Sequence, residues 1–172
     1  MANLISWINI AVVFGSIVLF GAVGETLTEK AGNLNLGTPG IMCMGGAFGF
    51  VGAYLYETSV GNPNAFMCIL VALGTAFIVS ALGGLIYSFL TTTLHANQNV
   101  TGLTLTIFGV GLGKFFGTYV IPKGAVSTKA DFATKIFRAR IPFLSDKLGV
   151  VGDILFSYGF MMYLALIVAI CA

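Results

Sequence analysis

Apolar stretches alternate with short polar segments along the chain, and most of these stretches are long enough to cross a membrane as a helix. A spanning helix needs about 20 mostly apolar residues. The candidate stretches cover residues 4–24, 41–56, 66–90, 100–121 and 150–172. The pattern predicts an all-α, polytopic transmembrane helix bundle of about five spans, built as a single domain over residues 1–172, with a short or broken second span.

The composition fits this pattern and excludes a soluble domain. Hydrophobic residues make up 58% of the chain and charged residues only 8%, against about 25% charged residues in soluble proteins. A soluble chain of this length needs far more polar surface to cover its core. The net charge is +2, and no basic stripe indicates a nucleic-acid partner. The expected surroundings are membrane lipid.

The segment between the first two apolar stretches reads ETLTEKAGNLNLGTPG over residues 25–40 and is too polar for lipid contact. Backbone groups without partners are costly in hydrocarbon. Residues 32–40 therefore lie either in the interface, as an ordinary loop, or inside the protein beside a polar cavity. A short span preceded by Gly and Pro is typical of a discontinuous helix, and such breaks often mark the substrate path of transporters.

Glycines recur every four residues in two of the stretches and so share one helix face. Such faces allow close contact between membrane helices. The predicted helix-packing positions are Gly45, Gly49, Gly109, Gly113 and Gly117.

Residue patterns typical of catalysis are missing from the sequence. It contains no phosphate-binding Gly-x-x-x-x-Gly-Lys-Ser/Thr motif, no metal-ligand spacing and no Ser–His–Asp arrangement. We expect no catalytic residue, no metal and no cofactor. The chain is predicted not to be an enzyme, and any nucleotide hydrolysis that it depends on would reside on a separate subunit.

Three motifs resemble a known family. The first, GAVGETLTEKAGNLNLGTPGIMCMGGAFG from residue 21, is similar to integral-membrane permease subunits of bacterial ABC importers for simple sugars and nucleosides, most closely the nucleoside-type branch. The segment HANQNVTGLTL from residue 95 resembles a second family motif, and residues 141–149 resemble a third more weakly. The matches occur in the family's order and cover nearly the whole chain.

The resemblance implies a permease subunit, located in the bacterial plasma membrane, that moves a nucleoside or simple sugar inward by alternating access. It also implies partners: an ATP-binding cassette ATPase, a second permease subunit in a homo- or heterodimer, and an extracellular solute-binding protein. Residues expected near the substrate path are Asn33, Asn35, Thr38, Pro39, Phe48, Asn97 and Gln98. The amides could hydrogen-bond sugar hydroxyls, or Asn33 and Asn35 could simply satisfy the broken backbone.

Two alternatives and a topology question stay open at this level. The chain resembles the front half of such a permease, so it could be a truncated, non-transporting fragment or an assembly subunit. It could also carry another solute, such as a branched-chain amino acid. The basic loop over residues 123–149 favours a cytoplasmic position, whereas the resemblance places this loop and the N-terminus outside and residues 25–40 at the cytoplasmic side. We expect the topology that the resemblance implies.

Overall fold

The computed structural model describes residues 2–119, 130–137 and 158–172, and the structural statements below concern these residues. Their regular structure is helical. A π-helical turn, Phe89–Thr93, extends the third helix. The helices are α1 (Ala2–Lys30), α2 (Thr38–Ser59), α3 (Ala65–Ser88), α4 (Gln98–Tyr119), α5 (Asp131–Phe137) and α6 (Phe160–Cys171).

Four of these helices are long and apolar enough to cross a membrane. They are Ser6–Lys30, Thr38–Ser59, Ala65–Thr93 and Gln98–Tyr119. The predicted all-α, polytopic bundle is therefore confirmed. In the region of the predicted fifth span, α6 is an apolar helix of 12 residues, and residues 150–157 of that span lie outside the described residues.

The second helix is longer than its apolar stretch indicated. The stretch covered residues 41–56, but α2 runs from Thr38 to Ser59. Pro39 lies in its first turn, where a backbone N–H has no intrahelical partner and a fixed φ near −65° suits the helix. Because α1 continues to Lys30, the non-helical segment is confined to residues 31–37, which we call the connecting loop.

The chain divides into two compact units, Thr28–Thr134 and Met1–Leu27 with Lys135–Ala172. In the first, α2 packs against both α3 and α4. Met44, Tyr87 and Leu105, one from each helix, form its buried core cluster. In the second, the rings of Phe137 and Phe160 are stacked, with centroids 5.7 Å apart.

Glycines bring α2 into backbone contact with α4. A Cβ atom built on Gly40 would lie 2.5 Å from the Thr106 Cα and 2.6 Å from the Leu105 carbonyl oxygen. One built on Gly109 would overlap the backbone of Gly40, and one on Gly113 would lie 3.0 Å from the Cys43 Sγ. Real Cβ atoms do not fit at the first two distances, so only glycine permits this spacing of the two helices.

The other glycines predicted to pack differ in their surroundings. A Cβ on Gly45 would overlap the Ser80 hydroxyl, and one on Gly49 would lie 3.1 Å from the Ala72 carbonyl oxygen, so both face α3. Beside Gly117, by contrast, no atom of the described residues lies within 4 Å of such a Cβ. The four-residue spacing along α4 therefore extends to a glycine that is not packed closely against α2.

Candidate functional site at the connecting loop

The connecting loop starts with a glycine that ends α1. Gly32 has φ 86°, a left-handed conformation that glycine adopts without steric cost and that commonly terminates helices. The N–H groups of Gly32 and Asn33 donate to the carbonyl oxygens of Glu29 and Thr28, at 2.9 and 3.0 Å. These bonds satisfy carbonyls that the last helical turn leaves open and turn the chain away from the α1 axis.

Asn35 shapes the other end of the loop, where α2 begins. Its side chain is buried, and its Oδ1 accepts a hydrogen bond from the Gly37 N–H at 3.0 Å. The hydroxyl of Thr38 donates to the Asn35 carbonyl oxygen, also at 3.0 Å. Such bonds between a side chain and nearby backbone are typical turn-formers. They position Gly37, whose carbonyl accepts from the Ile41 N–H in the first turn of α2.

The carboxamide of Gln98 joins the loop to the first turn of α4. Its Oε1 accepts from the Leu34 N–H at 3.0 Å, and its Nε2 donates to the Asn33 Oδ1 at 3.0 Å. The two partners require opposite ends of the amide, so they fix its orientation. One side chain thus satisfies a loop backbone group and orients a loop side chain.

Two further side chains hold carbonyl groups of the loop. The Tyr87 hydroxyl, on α3, donates to the Leu34 carbonyl oxygen at 2.7 Å. The Thr106 hydroxyl, on α4, donates to the Leu36 carbonyl oxygen, also at 2.7 Å. The backbone of the connecting loop therefore pairs with side chains of two neighbouring helices, so these polar groups are satisfied within the protein.

Gly102 permits this close approach. A Cβ atom at this position would lie 2.9 Å from the backbone nitrogens of both Leu36 and Gly37. Any larger side chain would push the loop away from α4 and lengthen the bonds from Gln98 and Thr106. The helix and the loop are therefore in direct backbone contact.

The remaining predicted path residues have different surroundings. Asn97 is exposed and caps α4, because its Oδ1 accepts from the N–H groups of Asn99 and Val100 at 3.0 and 3.3 Å, a standard N-cap arrangement. Pro39 is exposed at the start of α2. Phe48 is half-buried on α2 and its ring packs against Phe116, with centroids 4.7 Å apart.

The structure brings four of the seven predicted path residues together, Asn33, Asn35, Thr38 and Gln98, with Pro39 and Asn97 next to them in sequence. Phe48 lies ten residues beyond Thr38, about 15 Å along α2 at 1.5 Å per residue. Sequence analysis missed Tyr87 and Thr106. Both residues carry a hydroxyl inside an apolar stretch. A polar group in a membrane helix needs a hydrogen-bond partner, and this could have pointed to a role for them.

The opposite end of α2 carries a half-buried carboxylate. One oxygen of Glu57, Oε1, accepts from the Phe132 N–H at the start of α5, at 3.1 Å. The other oxygen is buried without a hydrogen-bond partner among the described residues. In the same ranges no group of three or more His, Cys, Asp or Glu side chains lies together to hold a metal ion.

Long apolar helices that pack through glycines, with a break held by neighbouring helices, are typical of a polytopic membrane protein. Residues 6–172 match the family described as branched-chain amino acid transport system / permease component. The chain belongs to this family and is a multi-pass integral membrane protein, as the sequence predicted.

Curated relatives carry sugar and nucleoside names. A putative glucose ABC transporter permease of Haloferax volcanii is 34% identical over 111 residues, which is 64% of this chain and 31% of that protein. A nucleoside ABC transporter permease of Lactococcus lactis is 25% identical over 161 residues, 93% of this chain and 48% of the relative. A guanosine ABC transporter permease of Bacillus subtilis is 23% identical over 145 residues, which is 84% of this chain and 43% of that protein. The chain thus spans 31–48% of the length of these relatives. No solved structure matches it.

Proposed function

We propose that the chain forms part of the permease subunit of an ABC importer that moves a nucleoside or simple sugar inward across the bacterial plasma membrane. The family match and the names of the three relatives support this function. We further propose that residues 1–172 form one partial permease domain, and that the remainder of the transport path is supplied by segments outside this chain.

The connecting loop is the observation that carries the proposal. Its backbone pairs with Gln98, Thr106 and Tyr87 rather than only with itself. Irregular backbone inside a membrane protein is tolerated only where neighbouring groups satisfy its hydrogen bonds, and in transporters such breaks often border the substrate path. We propose that the loop forms part of the wall of the solute path, with Asn33, Asn35, Thr38, Pro39, Phe48, Asn97 and Gln98 along it.

We propose that the loop takes part in alternating access as a fixed part of a moving body. Because hydrogen bonds from α3 and α4 fix the loop, it moves together with these helices as one body. The solute path opens to one side or the other as this body shifts against the rest of the permease. Partners that bind one conformation better than the other bias the equilibrium.

Those partners are proposed by chemical role. An ATPase subunit of the ATP-binding cassette type supplies nucleotide hydrolysis from inside the cell. A second permease subunit, identical or not, forms the facing half of the path, and an extracellular solute-binding protein delivers the solute.

Uptake in cells tests the proposal. Cells lacking the chain should lose uptake of labelled nucleoside or glucose, and re-expression should restore it. Gln98→Ala should lower uptake several-fold, because it frees the loop, whereas Asn99→Ala, one residue further along α4, should not. An affinity-tagged chain should co-purify with an ATPase subunit and a solute-binding protein.

The family description itself favours one other solute, a branched-chain amino acid. Labelled leucine in the same assay decides between the two. If deletion abolishes leucine uptake and leaves nucleoside and glucose uptake intact, the amino-acid function replaces the one proposed. If no uptake changes at all, the chain is a non-transporting membrane protein.

A further inference from the structure

The two ends of the unit that contains α2, α3 and α4 are held in different ways. At one end, the side chains of Tyr87, Gln98 and Thr106 all bond to the connecting loop. At the other end, which we call the α5 end, the start of α5 is bonded to α2. There the Glu57 Oε1 accepts from the Phe132 N–H at 3.1 Å, and within the described ranges no other side chain bonds to α5. This difference indicates that the α5 end opens more easily.

The helix at this end is too short to be stable by itself. It has seven residues, Asp131–Phe137, whereas isolated helices shorter than about 12–15 residues are marginal in water. The fully buried residues at its start are Ala130 and Ala133, 4% and 5% exposed, and each contributes only a methyl group to packing. Asp131 and Thr134 are exposed. The helix α5 therefore depends on docking, and the hydrophobic part of that docking is small.

Glu57 supplies the polar part of the docking. The Phe132 N–H lies in the first turn of α5, where backbone N–H groups have no partner within the helix. A carboxylate that accepts from such a group forms a charge-assisted hydrogen bond, which is stronger than a bond between neutral groups. Glu57 itself is half-buried in the last turn of α2, so a spanning helix fixes its backbone. One carboxylate thus joins a short, weakly packed helix to the helical core of the unit.

A buried thiol in α3 provides a measure of opening at the α5 end. The helices α2 and α3 are antiparallel and joined by a short turn, and Gly49 of α2 packs against Ala72 of α3. Cys68, one helical turn before Ala72, lies on the same face of α3 and nearer to the α5 end. Its side chain is 0% exposed. A thiol reagent can therefore reach Cys68 only when this part of the unit opens.

We propose that α5 docks reversibly on the end of α2, that Glu57 is the latch that holds it there, and that its release opens the α5 end while the connecting loop stays bonded. Opening at one end while the other end is held is what alternating access requires. This role in transport rests on the function proposed above. The latch itself is a property of the chain and is measurable without any solute.

Hydrogen exchange and thiol labelling of the purified chain in lipid nanodiscs test the latch. In the native chain, the Phe132 amide should exchange much faster than the amide of Met44 in the buried core, because α5 opens without unfolding of the unit. Glu57→Met removes the acceptor at similar volume. It should speed both exchange at Phe132 and labelling of Cys68 by N-ethylmaleimide about tenfold, the loss of one charge-assisted hydrogen bond. Glu57→Gln keeps an acceptor oxygen without the charge, so its increase should be smaller.

Glu29→Met and Glu29→Gln are the matched controls, because they change an exposed carboxylate in α1, and both rates should keep their native values. Equal acceleration at Met44 and Phe132 in Glu57→Met would show that the whole unit is destabilised and would overturn the proposal. So would unchanged rates, a rise in only one of the two rates, or exchange at Phe132 as slow as at Met44 in the native chain. If Glu57→Met does not fold, Glu57→Gln and the native chain decide the question.

Cellular uptake separates this inference from the proposed function. Nucleoside or sugar uptake that depends on the chain but is the same in Glu57→Met as in Glu29→Met would overturn the role of the latch in transport and leave the transporter intact. Loss of the chain without any effect on nucleoside or sugar uptake would instead overturn the proposed function itself, whereas exchange at Phe132 and labelling of Cys68 would still decide whether Glu57 is a latch.

Discussion

Two tyrosines are buried almost equally and are used in opposite ways. Tyr87 is 5% exposed and Tyr158 is 3% exposed. The hydroxyl of Tyr87 donates to the Leu34 carbonyl oxygen in the connecting loop, whereas the hydroxyl of Tyr158 is buried without a hydrogen-bond partner among the described residues. The difference teaches that burial alone does not reveal what a polar group contributes: the Tyr87 hydroxyl supports the loop, and the Tyr158 hydroxyl forms no hydrogen bond with a described residue.

The same contrast extends to the neighbouring amides. The Oδ1 atoms of Asn33 and Asn35 accept hydrogen bonds inside the protein, while that of Asn9 accepts none from the residues that the structure describes. Around the loop, substitutions should therefore change stability first. At Asn9 and Tyr158, removal of the unpaired polar atom should have little effect on stability.

The largest expected effect is at the backbone contact between α2 and α4, in the compact unit that contains the connecting loop. Gly109→Ala places a methyl group against the backbone of Gly40 and should lower the free energy of unfolding by about 3 kcal/mol, since neither backbone can yield. Unfolding of the purified chain in mixed micelles measures this. The control Gly111→Ala, on the same helix with nothing within 4 Å, should be neutral or slightly stabilising.

A smaller loss is expected from Gln98→Ala. It removes both hydrogen bonds between this side chain and the loop and leaves the Leu34 N–H unpaired, at a cost of about 2 kcal/mol. Hydrogen exchange at the Leu34 amide should accelerate by more than tenfold. Asn99→Ala changes an exposed neighbouring amide and should leave the exchange rate unaltered; equal acceleration in both variants would contradict the role given to Gln98.

The two tyrosines give the sharpest comparison, because the same substitution, tyrosine to phenylalanine, is made at both positions. Tyr87→Phe should destabilise the chain by about 1 kcal/mol, since the Leu34 carbonyl loses its donor. Tyr158→Phe should cost nothing, because its hydroxyl has no hydrogen-bond partner among the described residues to lose. Thermal unfolding of the two variants side by side checks this, and equal losses would erase the distinction between the two tyrosines.

The smallest effect is expected at the α4 cap. Asn97→Ala removes the acceptor for the first free N–H groups of the helix and should lower the free energy of unfolding by about 0.5 kcal/mol. The effect is small because water can hydrogen-bond these N–H groups at an exposed helix end. Asn97→Asp keeps the acceptor and should retain full stability. A loss as large as that of Gln98→Ala would mean that Asn97, too, supports the loop.

Individual elements show what sequence analysis achieved and where it stopped. The apolar stretches located α2, α3 and α4 to within a few residues because spanning length is set by bilayer thickness. The start of α2 was placed three residues late, since Thr38–Gly40 resembled loop although Pro39 suits a first helical turn. The motifs at residues 33–40 and 97–103 were found separately, and nothing in their spacing along the chain indicated that Gln98 contacts Asn33.

By itself, the sequence determined that this protein crosses a membrane on helices, that glycine faces would pack, and that its motifs are those of a permease. These properties follow from local composition and periodicity, which decide how each segment partitions into the bilayer. Only the tertiary structure decided which polar groups are paired. Pairing depends on residues that are dozens of positions apart in the chain, such as Tyr87 and Leu34. The sequence indicates neither that these two residues form a hydrogen bond nor that the Tyr158 hydroxyl has no hydrogen-bond partner among the described residues.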